Sequence, residues 1–344
     1  MRTHLGPNHP GGFRRSRRPD TVRGVPSRRS VLGAAIATGV AAWPVAGCQR
    51  SPAYPAGPLR IATGGQGGVY YVYGLAIAGA VRAALPRLAP AVLTTGASVE
   101  NLRLIGVGAA EVAFSLADCA AAAMTGRPPF TASLPVAALA RLYENYLHVV
   151  VRADGPVARL PDLARRRVSI GAAGSGTEVV ACRVLATAGL DPKTGLTSMR
   201  LGVEESAREL AAGRLDAFFF SGGLPVAAIA QLAAAVPVRL LDIGELAGQL
   251  CAAHGEFYGE RTIPASTYGL GRSASTVGVP NYLVVAASMP FSTAYAVTRL
   301  LFEQRAALAA AHPEARRLDR GAAVGTYPLS LHAGAVRYYR EAKR

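Results

Sequence analysis

Three glycine- and hydroxyl-rich turns, at residues 63–68, 95–98 and 171–177, carry what chemistry this sequence offers. Each follows a short apolar run and precedes an Ala/Leu-rich stretch. Such a turn at a helix start bares backbone N–H groups at the positive end of the helix dipole, which makes an anion site. Around them lie the hydroxyls of Thr63, Ser98, Ser175 and Thr177, the Asn101 amide, and the phenols of Tyr70 and Tyr71. Neutral donors of this kind hold one or two carboxylates. Taken singly, Ser98, Asn101 and Thr177 are equally well explained as helix caps; on matching strand ends, together, they favour a binding site.

Nucleotide binding fails on spacing. A P-loop needs a lysine after its last glycine, yet the chain beyond residue 48 has two lysines only, Lys193 and Lys343. A dinucleotide fingerprint needs G-x-G-x-x-G and an acid about 20 residues on. Glycines 64, 65, 67 and 68 fit that poorly, and no acid occurs between residue 58 and Glu100. Catalysis is also poorly served: there is no G-x-S-x-G elbow and no H-E-x-x-H. His148 sits in an apolar run and reads as a core residue; His254, His312 and His332 are far apart. Asp118 and Asp216 flank apolar runs, where lone carboxylates usually cap or pair. The expectation is a binding protein with no enzyme activity, cofactor or metal site.

The elements that position these turns alternate. Strands at 59–63, 91–95 and 111–115 are each followed by a helix, at 70–85, 99–107 and 118–124. A β-branched run, "LHVVVRA" (147–153), then precedes a second series. Strands at 167–173 and 215–222 go with helices at 177–188, 204–212 and 225–235. A second β-branched run, "TVGVPNYLVVAAS" (276–288), precedes a closing helix at 291–311. This order argues for parallel sheets with helices on their faces. The halves echo each other: "LRIATGGQGGVYY" matches "RVSIGAAGSGTEV", and "GAAEVAFSLAD" matches "AGRLDAFFFSGG". Two similar α/β lobes joined by β-branched crossovers would share one cleft at the carboxyl ends of their strands. Lobe one is expected at 58–150 and 246–344, lobe two at 151–245. Ser221 and Gly222, ending the last lobe-two strand, join Gly64 and Gly176 among the candidate ligand contacts.

At 344 residues, 51% hydrophobic and 17% charged, the chain suits a buried α/β protein. Its net charge of +16 invites a nucleic-acid partner, but residues 1–48 hold eight arginines against Asp20 alone, which leaves +9 to the rest. No basic run interleaves with aromatics there, so no nucleic-acid partner is expected. Within 1–48, Arg28 and Arg29 precede an apolar segment at 31–46, shorter than the ~20 residues of a membrane span. The stretch from Ser27 to Leu32 resembles a twin-arginine export signal. Val45-Ala46-Gly47-Cys48 resembles a lipoprotein box whose cysteine becomes a lipidated N-terminus. Residues 49–57 read as a tether. The expected location is extracytoplasmic, anchored at the membrane surface through Cys48. Cys119, Cys182 and Cys251 fit no metal spacing and are expected as free thiols.

Together these blocks resemble the TAXI-type extracytoplasmic solute-binding proteins of tripartite TRAP transporters. Thr63, Gly64, Gly67, Gly68, Tyr70, Tyr71 and Gly74 match the family's opening T-G-x-x-G-G-x-Y-Y-x-x-G. Residues 95–102 match T-G-G-S-V-E-N-L, and residues 171–179 match G-A-x-G-S-G-T-E-V. "TIPASTY" (262–268), "TVGVPNYLVV" (276–285) and "LHAGAVRYYRE" (331–341) resemble its later segments. The resemblance implies a two-lobed type II periplasmic-binding-protein fold with the ligand cleft between the lobes. It implies a small anionic or zwitterionic solute, such as 2-oxoglutarate or glutamate, delivered to a TRAP permease driven by an ion gradient. The rival reading is a sensor module for a membrane kinase; an exported enzyme is the less favoured one. Against the family pattern, Gly65 and Val69 remove lobe-one donors, and Val72 stands where proline follows the tyrosines. Ala97 replaces a glycine, so that turn is expected to tolerate less positive φ.

Overall fold

The computed structural model describes residues 54–343; the export-signal, lipoprotein-box and most of the tether expectations lie outside them. Lobe one opens with β1 (Gly57–Ala62), α1 (Val69–Ala84), β2 (Leu88–Leu93), α2 (Ser98–Gly106), β3 (Val112–Leu116) and α3 (Ala117–Thr125). A 17-residue strand, β4 (Val136–Arg152), leads out of it. Lobe two follows with β5 (Arg167–Ser169), α4 (Gly176–Thr187), β6 (Thr197–Met199), α5 (Val203–Ala211), β7 (Ala217–Gly222), α6 (Ala227–Ala235) and β8 (Val238–Leu240). Then come α7 (Ala247–His254), β9 (Gly259–Ile263) and the 13-residue β10 (Ala274–Ala286). Lobe one is completed by α8 (Phe291–Glu303), α9 (Arg305–Ala311), α10 (Arg320–Ala323) and α11 (Ala333–Glu341).

The strands run in the order β2-β1-β3-β10-β4-β7-β5-β6. In each lobe the first strand lies between the second and the third, all parallel, and a long strand adds antiparallel beside the third. The two long strands, β4 and β10, pair antiparallel with each other. They are the β-branched crossovers, and with them the chain is the two-lobed α/β architecture expected. The duplication reaches side-chain detail. Arg60, on β1, donates from its backbone N–H and guanidinium to Glu111 and reaches the Gly108 carbonyl at 2.7 Å. Arg167, on β5, does the same with Asp216 and the Gly213 carbonyl, at 3.0 Å. Each clamps the start of a third strand to the start of a first.

Alternation along the strands sorts side chains between two layers. Val112 and Phe114 of β3 face a core with α1, α8 and α11, while Ala113 faces one shared with α2, α3 and α4; Leu116, the last residue of the strand, leaves the alternation and joins that second core. That second core is continuous across both lobes, and α5 and α6 close a third over lobe two. The return to lobe one falls inside β10, later than residue 246. Its first residues, 274–278, pair with β9, and Ile263 and Tyr268 pack in the lobe-two core with Phe218. The helix expected across 291–311 breaks at Gln304 (φ −100, ψ 15), and α9 turns to bury Leu308. No helix among the described residues is long and apolar enough to cross a membrane. Cys119, Cys182 and Cys251 are free thiols, the first buried and the others half-buried.

Candidate functional site

The carboxyl ends of the parallel strands in both lobes face one another around a cavity of about 320 Å³. Gly64, Tyr70 and Ser98 line it from lobe one; Ser175, Gly176, Thr177, Ser221 and Gly222 line it from lobe two. Thr63, Tyr71 and Asn101 do not line it. The Thr63 hydroxyl donates to the Leu93 carbonyl at 2.7 Å. The Asn101 amide donates to the Thr63 and Phe114 carbonyls at 2.6 and 2.9 Å, and its oxygen accepts from the Thr95 hydroxyl at 2.6 Å. These two residues tie the ends of the three lobe-one strands together under the site, and Tyr71 is half-buried on another side of α1.

Three of the hydroxyls that line the cavity share one arrangement. Ser98 accepts the Leu116 N–H at 3.1 Å, Ser175 accepts the Glu178 N–H at 2.9 Å, and Thr177 accepts the Ser221 N–H at 3.0 Å. An oxygen occupied as an acceptor leaves its own O–H to donate. Capping and ligand binding are therefore compatible in these residues: the backbone bond orients the group. Glu100 and Glu178 complete the turns, each accepting the N–H of the glycine four residues before it, at 2.6 Å for Gly96 and 2.9 Å for Gly174.

Further lining residues carry no motif, Tyr143 and Asn145 on β4 and Glu204 on α5; Leu116 and Phe220, from the two matched segments, line it as well. Tyr143 and Asn145 are two apart in a strand and so share a face; polar residues at that spacing in an apolar crossover are the signal that finds them. The Tyr143 hydroxyl, Asn145 Oδ1 and the Ser221 hydroxyl are buried without a hydrogen-bond partner in the protein. Buried polar groups are normally paired, so these atoms mark where a polar ligand is expected to bond. The Tyr70 phenol donates to Asn281 Oδ1, and its ring stacks on Phe114 with centroids 5.0 Å apart. Burial raises the pKa of Tyr70 and Tyr143 well above the usual phenol value, so both remain neutral. Among the described residues, Glu204 is the one acidic side chain that lines the cavity, and no lysine or arginine does.

Direct contacts join the lobes. The Val99 and Glu100 N–H groups, at the start of α2, donate to the Gly174 carbonyl, both at 3.1 Å. The Gly67 N–H donates to Glu204 Oε1. Beside the cavity, Arg183 of α4 pairs with the fully buried carboxylate of Asp118 of α3 at 2.6 Å, and Tyr258 donates to the same oxygen at 2.8 Å. The lobes are thus held in a closed arrangement. His148, read from the sequence as a core residue, is fully buried; Nδ1 lies 3.1 Å from the Phe220 carbonyl and Nε2 2.8 Å from the Tyr268 hydroxyl.

Ala97 departs from its expectation. It holds φ at 88 although it is not glycine. Its N–H is fixed by the Thr95 hydroxyl at 2.9 Å and its carbonyl by the Asn101 N–H at 2.8 Å. The turn keeps the glycine-like backbone, and the strain is offset by the bonds around it.

Fold and site together define a two-lobed α/β protein enclosing a small neutral-donor cavity. Residues 61–342 match the profile of the NMT1-like family, and the chain belongs to that family. Among solved structures it is similar to the periplasmic aliphatic sulphonate binding protein SsuA from Escherichia coli, with 16% identity, 83% of each chain covered and a TM-score of 0.46. The alkanesulfonate-binding protein SsuA from Xanthomonas axonopodis pv. citri, bound to MOPS, gives 19%, 84% of each chain and 0.44. An ancestral arginine-binding protein bound to arginine gives 14%, 75% of this chain, 97% of that one, and 0.45.

Proposed function

We propose that the protein is an extracytoplasmic solute-binding receptor that encloses a small carboxylate between its lobes and presents it, unchanged, to a membrane transporter of the TRAP type. The observation that carries this reading is the enclosed cavity with oriented neutral donors from both lobes. Its contacts would come from Tyr70, Ser98, Ser175, Gly176, Thr177 and Ser221, with Gly64 and Gly222 keeping the backbone close. Helix N-termini and hydroxyls suit a carboxylate, since they stabilise negative charge without a desolvated cation. Binding would select the closed state, so affinity reflects contacts and the closing equilibrium together. Anchoring through a lipidated Cys48 would keep the receptor at the membrane surface beside its permease.

A melting-temperature screen of carboxylates, amino acids and sulfonates tests this. Ligand at about 100 times its Kd adds roughly 2.7 kcal/mol, and the compound should be recovered unaltered. Ser221→Ala should weaken the bound compound roughly threefold to tenfold, with the ligand-free melting temperature unchanged. Turnover of the compound, or no shift with any member of the screen, overturns the receptor reading.

A further inference from the structure

The polar lining of the cavity is uneven in charge. Three of its hydroxyls, Ser98, Ser175 and Thr177, are oriented as donors by the backbone bonds they accept, and those of Tyr143 and Ser221 have no protein partner. On the other side of the balance stand two acceptors, Asn145 Oδ1 and the Glu204 carboxylate. The Asn145 amide nitrogen is committed to the Ser221 carbonyl at 3.2 Å, which leaves its oxygen, buried and without a protein partner, as the group offered to a ligand. Glu204 stands at the start of α5 with Oε1 on the Gly67 N–H. Its other oxygen faces Gly65 and Gly202, both of which line the cavity: a Cβ on either would stand 3.8 or 3.9 Å from Oε2. Gly67 is constrained by the same carboxylate, since a Cβ there would clash with it. The loop across the cleft is thus shaped to bring this acid to the cavity.

A ligand with one carboxylate can be met by the hydroxyls and helix N-termini. A second carboxylate finds no lysine or arginine on the lining among the described residues and meets the field of Glu204. An ammonium group on the same ligand finds an anion and an unpartnered amide oxygen. From this juxtaposition we infer that Glu204 is a specificity-determining residue that selects a zwitterion, a carboxylate carrying an ammonium, over dianions and over acids without a cation. This rests on the receptor reading above and narrows its substrate class to α-amino acids or zwitterions of the same size.

Matched pairs isolate the ammonium: L-glutamate with 2-oxoglutarate, and L-leucine with 4-methyl-2-oxopentanoate. Calorimetric titration of the full-length protein should show the amino member of a pair binding at least about tenfold tighter than the oxo acid. Glu204→Gln should abolish that preference, by weakening the amino acid and strengthening the oxo acid. Glu204→Asp should retain part of it, and unchanged ligand-free melting shows that both variants fold. Equal weakening of both members by Glu204→Gln overturns the inference and leaves Glu204 as a closing contact only. Wild-type preference for the oxo acids, or binding confined to acids without a cation, overturns it while the receptor reading survives. If no carboxylate, amino acid or sulfonate binds, both fall.

Discussion

The turn before α4 in lobe two caps its helix from within its own lobe, whereas the turns of lobe one draw part of their bonding from across the cleft. In lobe two, Gly171 and Gly174 adopt φ of 100 and 72, and Ser175 caps the helix with its own hydroxyl. In lobe one, neither α1 nor α2 has a side-chain cap. The Gly67 N–H is taken by Glu204, and the first N–H groups of α2 by the Gly174 carbonyl. The glycines differ accordingly. Gly171 and Gly174 supply a backbone conformation; Gly67, Gly96 and, from lobe two, Gly176 supply clearance, because a Cβ would meet Glu204 Oε1, the Ala173 carbonyl 2.3 Å away, or Ser98 Oγ 2.7 Å away. Two segments that look alike in sequence therefore do different work: one is a formed platform, the other is completed by closure.

The contrast can be broken most forcefully at Asp118. Its replacement by alanine leaves Arg183 without its buried partner across the lobes, and stability should fall by about 3 kcal/mol in urea unfolding. A loss below about 1 kcal/mol would mean the pair behaves like a surface one. Gly96→Ala should act on closure: the backbone carbonyl opposite cannot move aside, so ligand affinity should drop by about 2 kcal/mol, roughly 30-fold. The ligand-free melting temperature should change far less; if it drops equally, clearance in lobe one serves folding instead.

On the crossover strand β4, against Phe220 and Tyr268, burial holds the His148 pKa down to about 4. The unfolded chain then binds the proton more readily, near 6.5, so stability should decline as pH falls from about 6.5 to 4, by at most about 1.4 kcal/mol per unit. Melting against pH should show a shallower slope in His148→Gln; burial lowers His254 and His312 in the same sense, so some slope remains. Ser175→Ala should cost about 1 kcal/mol through the lost cap of α4, visible without ligand. An effect of similar size and opposite sign is expected at Ala97→Gly. Relief of the positive φ, less the entropy of a more flexible unfolded chain, should raise stability by about 1 kcal/mol; a destabilised variant would show that the alanine side chain holds the turn.

Much of the fold was legible because its signals are local. Apolar runs of strand length, glycine turns and Ala/Leu stretches recur in two series, and that recurrence implies two lobes whatever their contacts. Of the site, the turns and their hydroxyls were legible, since a glycine turn at a helix start exposes N–H groups by geometry alone. Asn101 and Thr63 looked equivalent to Ser98 in sequence, yet they face the strand ends below the cavity, and only the direction of a side chain separates a brace from a lining group. Tyr143 and Asn145 carry no motif of their own because they lie before the β-branched run at 147–153, in the part of β4 that the run does not mark, and Glu204 lies in a segment whose pattern a helix explains. Glu204 reads as one of two acids in a helix's first turn, where acids are common.

The sequence by itself determined the two α/β series, the glycine turns at their strand ends and the absence of a nucleotide motif, because periodicity, helix starts and missing lysines are properties of neighbouring residues. Tertiary structure alone decided where the chain returns to lobe one, which hydroxyls face the cavity, and that Glu204 stands on its lining. Those outcomes depend on which face of a strand or helix turns inward and on what the opposite lobe places against it. Residues 137 positions apart, such as Gly67 and Glu204, meet only when the lobes close.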